Sequence, residues 1–181
     1  LVDIRSNPIE EILSNGLRSG GVDYELDSIV FATGFDAMTG SVAKIGIQGR
    51  VGATLNGKWA EGPRTYLGLM SEGFPNMFII TGPGSPSVLS NMIVSIEQHV
   101  DWIGDCIRYM RQHNLDCVEA TKAAEDAWVK QVNDVASGTL YPQANSWYMG
   151  ANIPGKPRIF MPYIGGVGVY RQICSDVAAK G

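Results

Sequence analysis

Three short stretches hold residue types that do chemistry when a fold brings them together. The first is Phe31-Ala32-Thr33-Gly34-Phe35-Asp36, an apolar run that breaks at a glycine. A glycine there lets the backbone approach a large cofactor without an obstructing Cβ. The second is Gly82-Pro83-Gly84-Ser85-Pro86, continued by Ser87, Val88, Leu89, Ser90, Asn91 and Met92 into a helical pattern. A helix start carries about half a positive charge and several unpaired N–H groups, so it can face an anionic group. The third is Ser146-Trp147-Tyr148 with Gly150-Ala151-Asn152-Ile153-Pro154-Gly155-Lys156 close behind. A tryptophan in a loop hinged by glycine and proline can swing over a ligand and offer its indole N–H. Each stretch also has a plainer reading: a strand-to-loop turn, a capped helix without a ligand, a tryptophan buried in a core.

Composition narrows the classes. The 181 residues are 45% hydrophobic and 18% charged, with a net charge of −4. That supplies a real core and argues against disorder. There is no basic run, so nucleic acid is not an expected partner. Cys106, Cys117 and Cys174 are odd in number and form no C-x-x-C pair. Reduced thiols and a cytoplasmic location fit this better than a disulfide framework. His99 and His113 sit in no metal-ligand pattern, and no metal site is expected. No apolar run has membrane length, and no membrane partner is expected. No Ser/His/Asp set is visible, nor a carboxylate pair with an evident acid/base role.

The elements that must position the three stretches follow from periodicity. Residues 1–36 read as β, with Asn15-Gly16 as a hairpin signal. Residues 22–26 alternate, as in a half-buried strand, and residues 29–32 are continuously apolar, as in a strand covered on both faces. Residues 37–76 read as short strands and connections, and residues 77–81 as a second buried strand. Ile93, Ile96, Val100, Ile103, Ile107 and Met110 are spaced 3, 4, 3, 4, 3, which predicts a long helix with that stripe inward. Ser85 or Ser87 is the expected cap. Thr121 opens a second helix with Ala124, Trp128, Val132 and Val135 on one face. Residues 138–166 read as a long irregular loop, and a last helix spans about residues 170–179. The fold class expected is α/β with long helices.

In this order the segments resemble the C-terminal part of type I Baeyer–Villiger monooxygenases, the phenylacetone and steroid monooxygenases in particular. The resemblance covers nearly the whole chain. It rests on the three stretches above and on Tyr66-Leu67-Gly68-Leu69, Gly73-Phe74-Pro75-Asn76, Ser95-Ile96-Glu97-Gln98-His99-Val100 and Tyr170-Arg171-Gln172-Ile173. It implies part of a flavoprotein with two dinucleotide-binding domains, one for FAD and one for NADP. Residues 1–36 would be the last strands of the NADP domain and the crossover. Residues 37–181 would complete the FAD domain, with a mobile loop at about 138–166.

The activity implied is NADPH-consuming oxygenation, in which O2 and a C4a-peroxyflavin convert a ketone to an ester or lactone. Thr33, Gly34, Gly82, Pro83, Asn91 and Met92 are the implied FAD contacts, and Trp147 the NADP contact. Ser87, Val88, Leu89, Met92 and Met161 are the implied ketone pocket. The family's glycine-rich motifs and its active-site arginine are absent. None of the eight arginines takes that last role, so the chain is expected to be inactive alone and to need the N-terminal part of the same protein. Two alternatives stay open. One is a related flavin-dependent N- or S-oxygenating monooxygenase; the other is a non-catalytic module that docks through the helical stripe.

Overall fold

A computed structural model describes residues 1–86 and 90–180. The chain divides into two compact units, Leu1–Phe35 and Asp36–Gly181.

The first unit is a three-stranded antiparallel meander of β1 (Ile9–Leu13), β2 (Gly16–Ser19) and β3 (Val22–Glu25). Leu13 pairs with Gly16 across a Ser14-Asn15 turn, so the hairpin turns one residue before the Asn15-Gly16 pair and Gly16 opens β2. The second turn is Gly20-Gly21, with φ of 56° and 75°. Two successive positive φ values are what a type I′ turn needs. Residues 29–32 are not a strand. A strand buried on both faces needs neighbours on both sides, and no described residue pairs with this one. Val30 and Phe31 are therefore 86% and 74% exposed.

The second unit is built from helices and turns. Two short helices come first, α1 (Gly40–Ala43) and α2 (Leu55–Lys58), then the long α3 (Met92–Gln112), α4 (Lys122–Ser137) and α5 (Val167–Ala178). The short strands expected over 37–76 reduce to isolated bridges, Gln48 with Thr54 and Tyr66 with Met70. Residues 77–81 are buried in part but form no strand. Ile79 N–H donates to Leu69 O at 2.8 Å, and the left-handed Thr81 (φ 53°) ends the extension. The main core joins Leu67, Leu69 and Met70 to Trp128 and Val132 of α4 and to Tyr170 and Cys174 of α5.

Helix α3 departs from its pattern. Ile93, Val100 and Ile107 of the stripe are exposed, while Ser95, Gln98 and His99 are buried. Its polar row faces this unit's own core, while the apolar stripe is divided: Ile103 packs against the core, Ile96 and Met110 are half-buried, and the other three are outward. Helix α4 follows its pattern: Thr121 Oγ1 accepts from Ala124 N–H at 3.2 Å as the cap, and Trp128 and Val132 are buried. No helix among the described residues is long and apolar enough to cross a membrane.

Candidate functional site

The loop from Thr81 to Ser85 is held on every side. Thr81 is β-branched yet left-handed, a conformation that costs energy and survives only where neighbours impose it. Its N–H donates to His99 Nδ1 at 3.1 Å. Thr65 Oγ1 donates to Pro83 O at 2.5 Å, and Trp128 Nε1 donates to Gly84 O at 3.1 Å. A Cβ on Gly82 would lie 2.5 Å from Gly68 O, so only glycine fits there. The loop is also tied to the chain beyond residue 160. Gly84 N–H donates to Met161 O at 2.6 Å, and Tyr163 N–H to Ser85 O at 2.9 Å.

His99 is fully buried. Because Nδ1 accepts, the ring proton is assigned to Nε2, which has no hydrogen-bond partner among the described residues. The ring lies edge-on to Tyr170, with centroids 5.5 Å apart. Burial pushes the His99 pKa down to about 4, because a charged ring would lose its hydration there.

The cap of α3 is Asn91, whose Oδ1 accepts from Ile93 N–H at 2.9 Å. The serine caps expected from sequence do not serve. Ser85 Oγ is used within the loop, donating to Gly82 O at 2.7 Å. Ser87, together with the pocket residues Val88 and Leu89, lies outside the described residues. Asn91 and Met92 are exposed at the helix start, Met92 by 38%.

Trp147 opens a 3-10 turn (Trp147–Met149) that closes on Gly150, left-handed at φ 69°. It is not core: it is 36% exposed and lies against Tyr148, with ring centroids 4.2 Å apart. The other three tryptophans each donate their indole N–H to a backbone carbonyl. Trp59 gives to Arg64 O, Trp102 to Cys174 O and Trp128 to Gly84 O, at 3.0, 2.9 and 3.1 Å. Trp147 has no such acceptor among the described residues. Beside it, Ser146 Oγ is buried and has no hydrogen-bond partner there either. Such orphaned polar groups are rare in native proteins and ask for an explanation.

The structure therefore links two of the three stretches. Tyr148 O accepts from Met161 N–H at 3.0 Å, and Met161 O accepts from Gly84 N–H. Buried Met161 thus bridges the Trp147 turn and the Gly82-Pro83-Gly84 loop. Thr33 and Gly34 belong to the first unit. At Gly34 a Cβ would meet nothing within 4 Å, and the φ of 79° itself favours glycine. Spacing in sequence also missed the pairing of Lys156 with Asp36, 120 residues apart, since nothing local marks such a contact. Among the described residues, no group of three or more His, Cys, Asp and Glu could hold a metal ion.

No protein-family model matches the chain. Whole-chain comparison does find relatives. A Baeyer–Villiger monooxygenase of Pseudooceanicola batsensis is 45% identical over 182 residues, covering 100% of this chain and 33% of that protein. The solved structure of an oxidized steroid monooxygenase bound to NADP is 52% identical with a TM-score of 0.88, covering 99% of this chain and 34% of that one. The chain is a homologue of Baeyer–Villiger monooxygenases. OTEMO in complex with FAD and NADP is 38% identical with a TM-score of 0.90, over 99% of this chain and 33% of that one. A phenazine N-monooxygenase of Lysobacter antibioticus is 41% identical over 179 residues, or 98% of this chain and 33% of that protein. The Baeyer–Villiger homology thus runs through all three chemistry-bearing stretches. The chain spans about one third of the length of the relatives it matches.

Proposed function

We propose that this chain is the C-terminal part of an FAD-dependent, NADPH-consuming Baeyer–Villiger monooxygenase that converts ketones to esters or lactones with O2. The observation that carries the reading is the Trp147 turn, where the buried Ser146 Oγ has no partner among the described residues and the Trp147 indole beside it is exposed. Those are groups that a nucleotide's polar atoms can satisfy. When bound, FAD and NADPH supply the hydride and the activation of O2, and the protein supplies orientation and electrostatics.

In this reading Trp147 donates to NADP(H). Thr33, Gly34, Gly82, Pro83, Asn91 and Met92 lie against FAD. The network around Thr81 and His99 keeps the Gly82 loop in one conformation, so little reorganisation is left for binding. Met92 and Met161, with Ser87, Val88 and Leu89, shape the ketone pocket. Their mostly apolar character excludes water, which protects a reactive oxygenating site from wasteful side reactions. Residues 1–36 belong to the NADP domain and 37–181 to the FAD domain, and the rest of the longer protein provides the glycine-rich motifs and the arginine. The three cysteines are free, which supports a cytoplasmic location.

The test is product analysis on the full-length protein loaded with FAD. NADPH added without oxygen should bleach the flavin band, and aerobic turnover of a ketone should release an ester or lactone. A second reading is N- or S-oxygenation, favoured by the phenazine N-monooxygenase relative. Amine or sulfide oxides with no ester from any ketone would establish that reading instead.

A further inference from the structure

The sequence Gly150 to Lys156 makes a compact loop directly after Trp147. Gly150 N–H donates to Trp147 O at 3.0 Å, Ile153 N–H to Gly150 O at 3.3 Å and Lys156 N–H to Ile153 O at 3.2 Å. The chain returns on itself, so the Lys156 stem passes over Gly150. A Cβ on Gly150 would lie 3.2 Å from Lys156 Cγ and Cδ and 3.0 Å from Pro157 O. Gly150 is therefore needed both for its left-handed φ and for the close passage of that stem.

The far end of the stem is fastened. Lys156 Nζ donates to Asp36 Oδ1 and to Ala37 O, the latter at 3.3 Å. The lysine side chain is only 12% exposed, against 40% for the aspartate. Asp36 is itself set: its backbone O accepts from Gly40 N–H at 3.1 Å, and Oδ1 also accepts from Thr39 Oγ1 at 3.5 Å. A surface pair of long side chains contributes little. This one differs because the ammonium is nearly dry and donates to two oxygens.

We infer that the Asp36–Lys156 ion pair is a positioning device: it anchors the Trp147 turn through Gly150 and so sets the indole for NADP(H). This rests on the assignment of Trp147 to NADP(H) made above. The lysine touches no cofactor in this account; it acts through the turn. Asp36 is also the residue two places after Gly34, one of the proposed FAD contacts. A single pair would then tie the loop that meets one dinucleotide to the segment that follows the contact to the other.

The experiment uses the full-length flavoprotein and four forms: wild type, Lys156→Met, Trp147→Ala and the double variant. NADP+ affinity is read from the perturbation of the flavin spectrum, with FAD content measured alongside. Lys156→Met should weaken NADP+ about tenfold, the scale on which residues that touch no ligand modulate its binding, at unchanged FAD content. In the Trp147→Ala background the same change should cost less than about twofold, because residues that act through each other are not additive. Lys156→Arg should stay close to wild type. Hydrogen exchange over residues 146–151 without nucleotide gives an independent reading, expected to quicken in Lys156→Met alone among the two lysine variants.

Equal losses from Lys156→Met in both backgrounds would overturn the inference, as would unchanged exchange. If exchange quickens but Trp147→Ala leaves NADP+ affinity untouched, the anchor stands and the NADP(H) role of Trp147 falls. If Lys156→Met does not fold, Asp36→Asn takes its place in the same cycle.

Discussion

Trp147 and His99 show opposite ways for a polar ring to be placed. His99 is buried with one nitrogen satisfied and its charge suppressed, which suits a structural post. Trp147 is exposed and its N–H has no acceptor among the described residues, which suits a contact with something not made of this chain. Replacing Trp147 by Ala in the full-length protein should weaken NADP(H) by about tenfold or more while FAD stays bound. Titration with NADP+ checks this, and equal affinity would remove the loop from the site. The His99 prediction concerns stability. Its folded pKa of about 4 lies below the ordinary 6.5. Above pH 6.5 neither state is protonated there, and native stability is at its full value. As pH falls from 6.5 towards 4, the unfolded chain binds a proton that the native ring refuses, and about 3 kcal/mol is lost across that window. Thermal melts of wild type and His99→Asn against pH should show that loss only in wild type, because Asn keeps an acceptor for Thr81 N–H and does not titrate. The tryptophan was legible in sequence as a hinged aromatic. Its exposure was not, because that depends on what the fold places opposite it.

At the scale of elements, local signals served best where the element meets its own unit. Thr121 capped α4 as expected, and its Trp128 face is buried. The α3 stripe turned inward only in part, because periodicity gives which residues share a face, not what that face meets. Here the buried row Ser95, Gln98 and His99 is polar, and only Ile103 of the apolar stripe packs on the core, with Ile93, Val100 and Ile107 outward. The Asn91 cap escaped notice because three serines precede it and any of them suits the role. Asn91→Ala should cost about 1 kcal/mol of stability, read by urea denaturation; a loss within error would mean that the helix start is held by other groups. Helix α4 is fastened differently. Glu125 is buried and accepts from Ser71 Oγ, Glu72 N–H and Lys58 Nζ at 3.1, 3.0 and 3.0 Å. Taking away one partner of such a buried pair leaves a charge uncompensated. Lys58→Met should therefore cost about 3 kcal/mol, less if Arg64, 3.7 Å from Glu125, moves in. The same melts would decide, and an unchanged midpoint would mean that Arg64 suffices.

For the whole molecule, the informative surface is apolar. Val30, Phe31 and Phe35 in the first unit are 86%, 74% and 87% exposed, and Ile93 in the second is 61% exposed. Three large apolar side chains exposed within residues 30–35 suit a surface that meets a partner, and the relatives are about three times as long as this chain. This chain alone should bind a hydrophobic dye, and the full-length protein should bind far less of it. Equal dye binding would mean that these faces stay open in the longer protein. Residues 29–32 read as a strand from sequence and are not one here: a strand needs neighbours, and no described residue pairs with them. The central claim, Baeyer–Villiger oxygenation, is tested most directly by supplying 18O2 and NADPH with a ketone to the full-length, FAD-loaded protein and weighing the product. The expected product is an ester or lactone carrying one 18O atom, formed only when NADPH is present. Recovery of unchanged ketone, with NADPH consumed solely to make hydrogen peroxide or with oxygen transferred only to amines and sulfides, would contradict it.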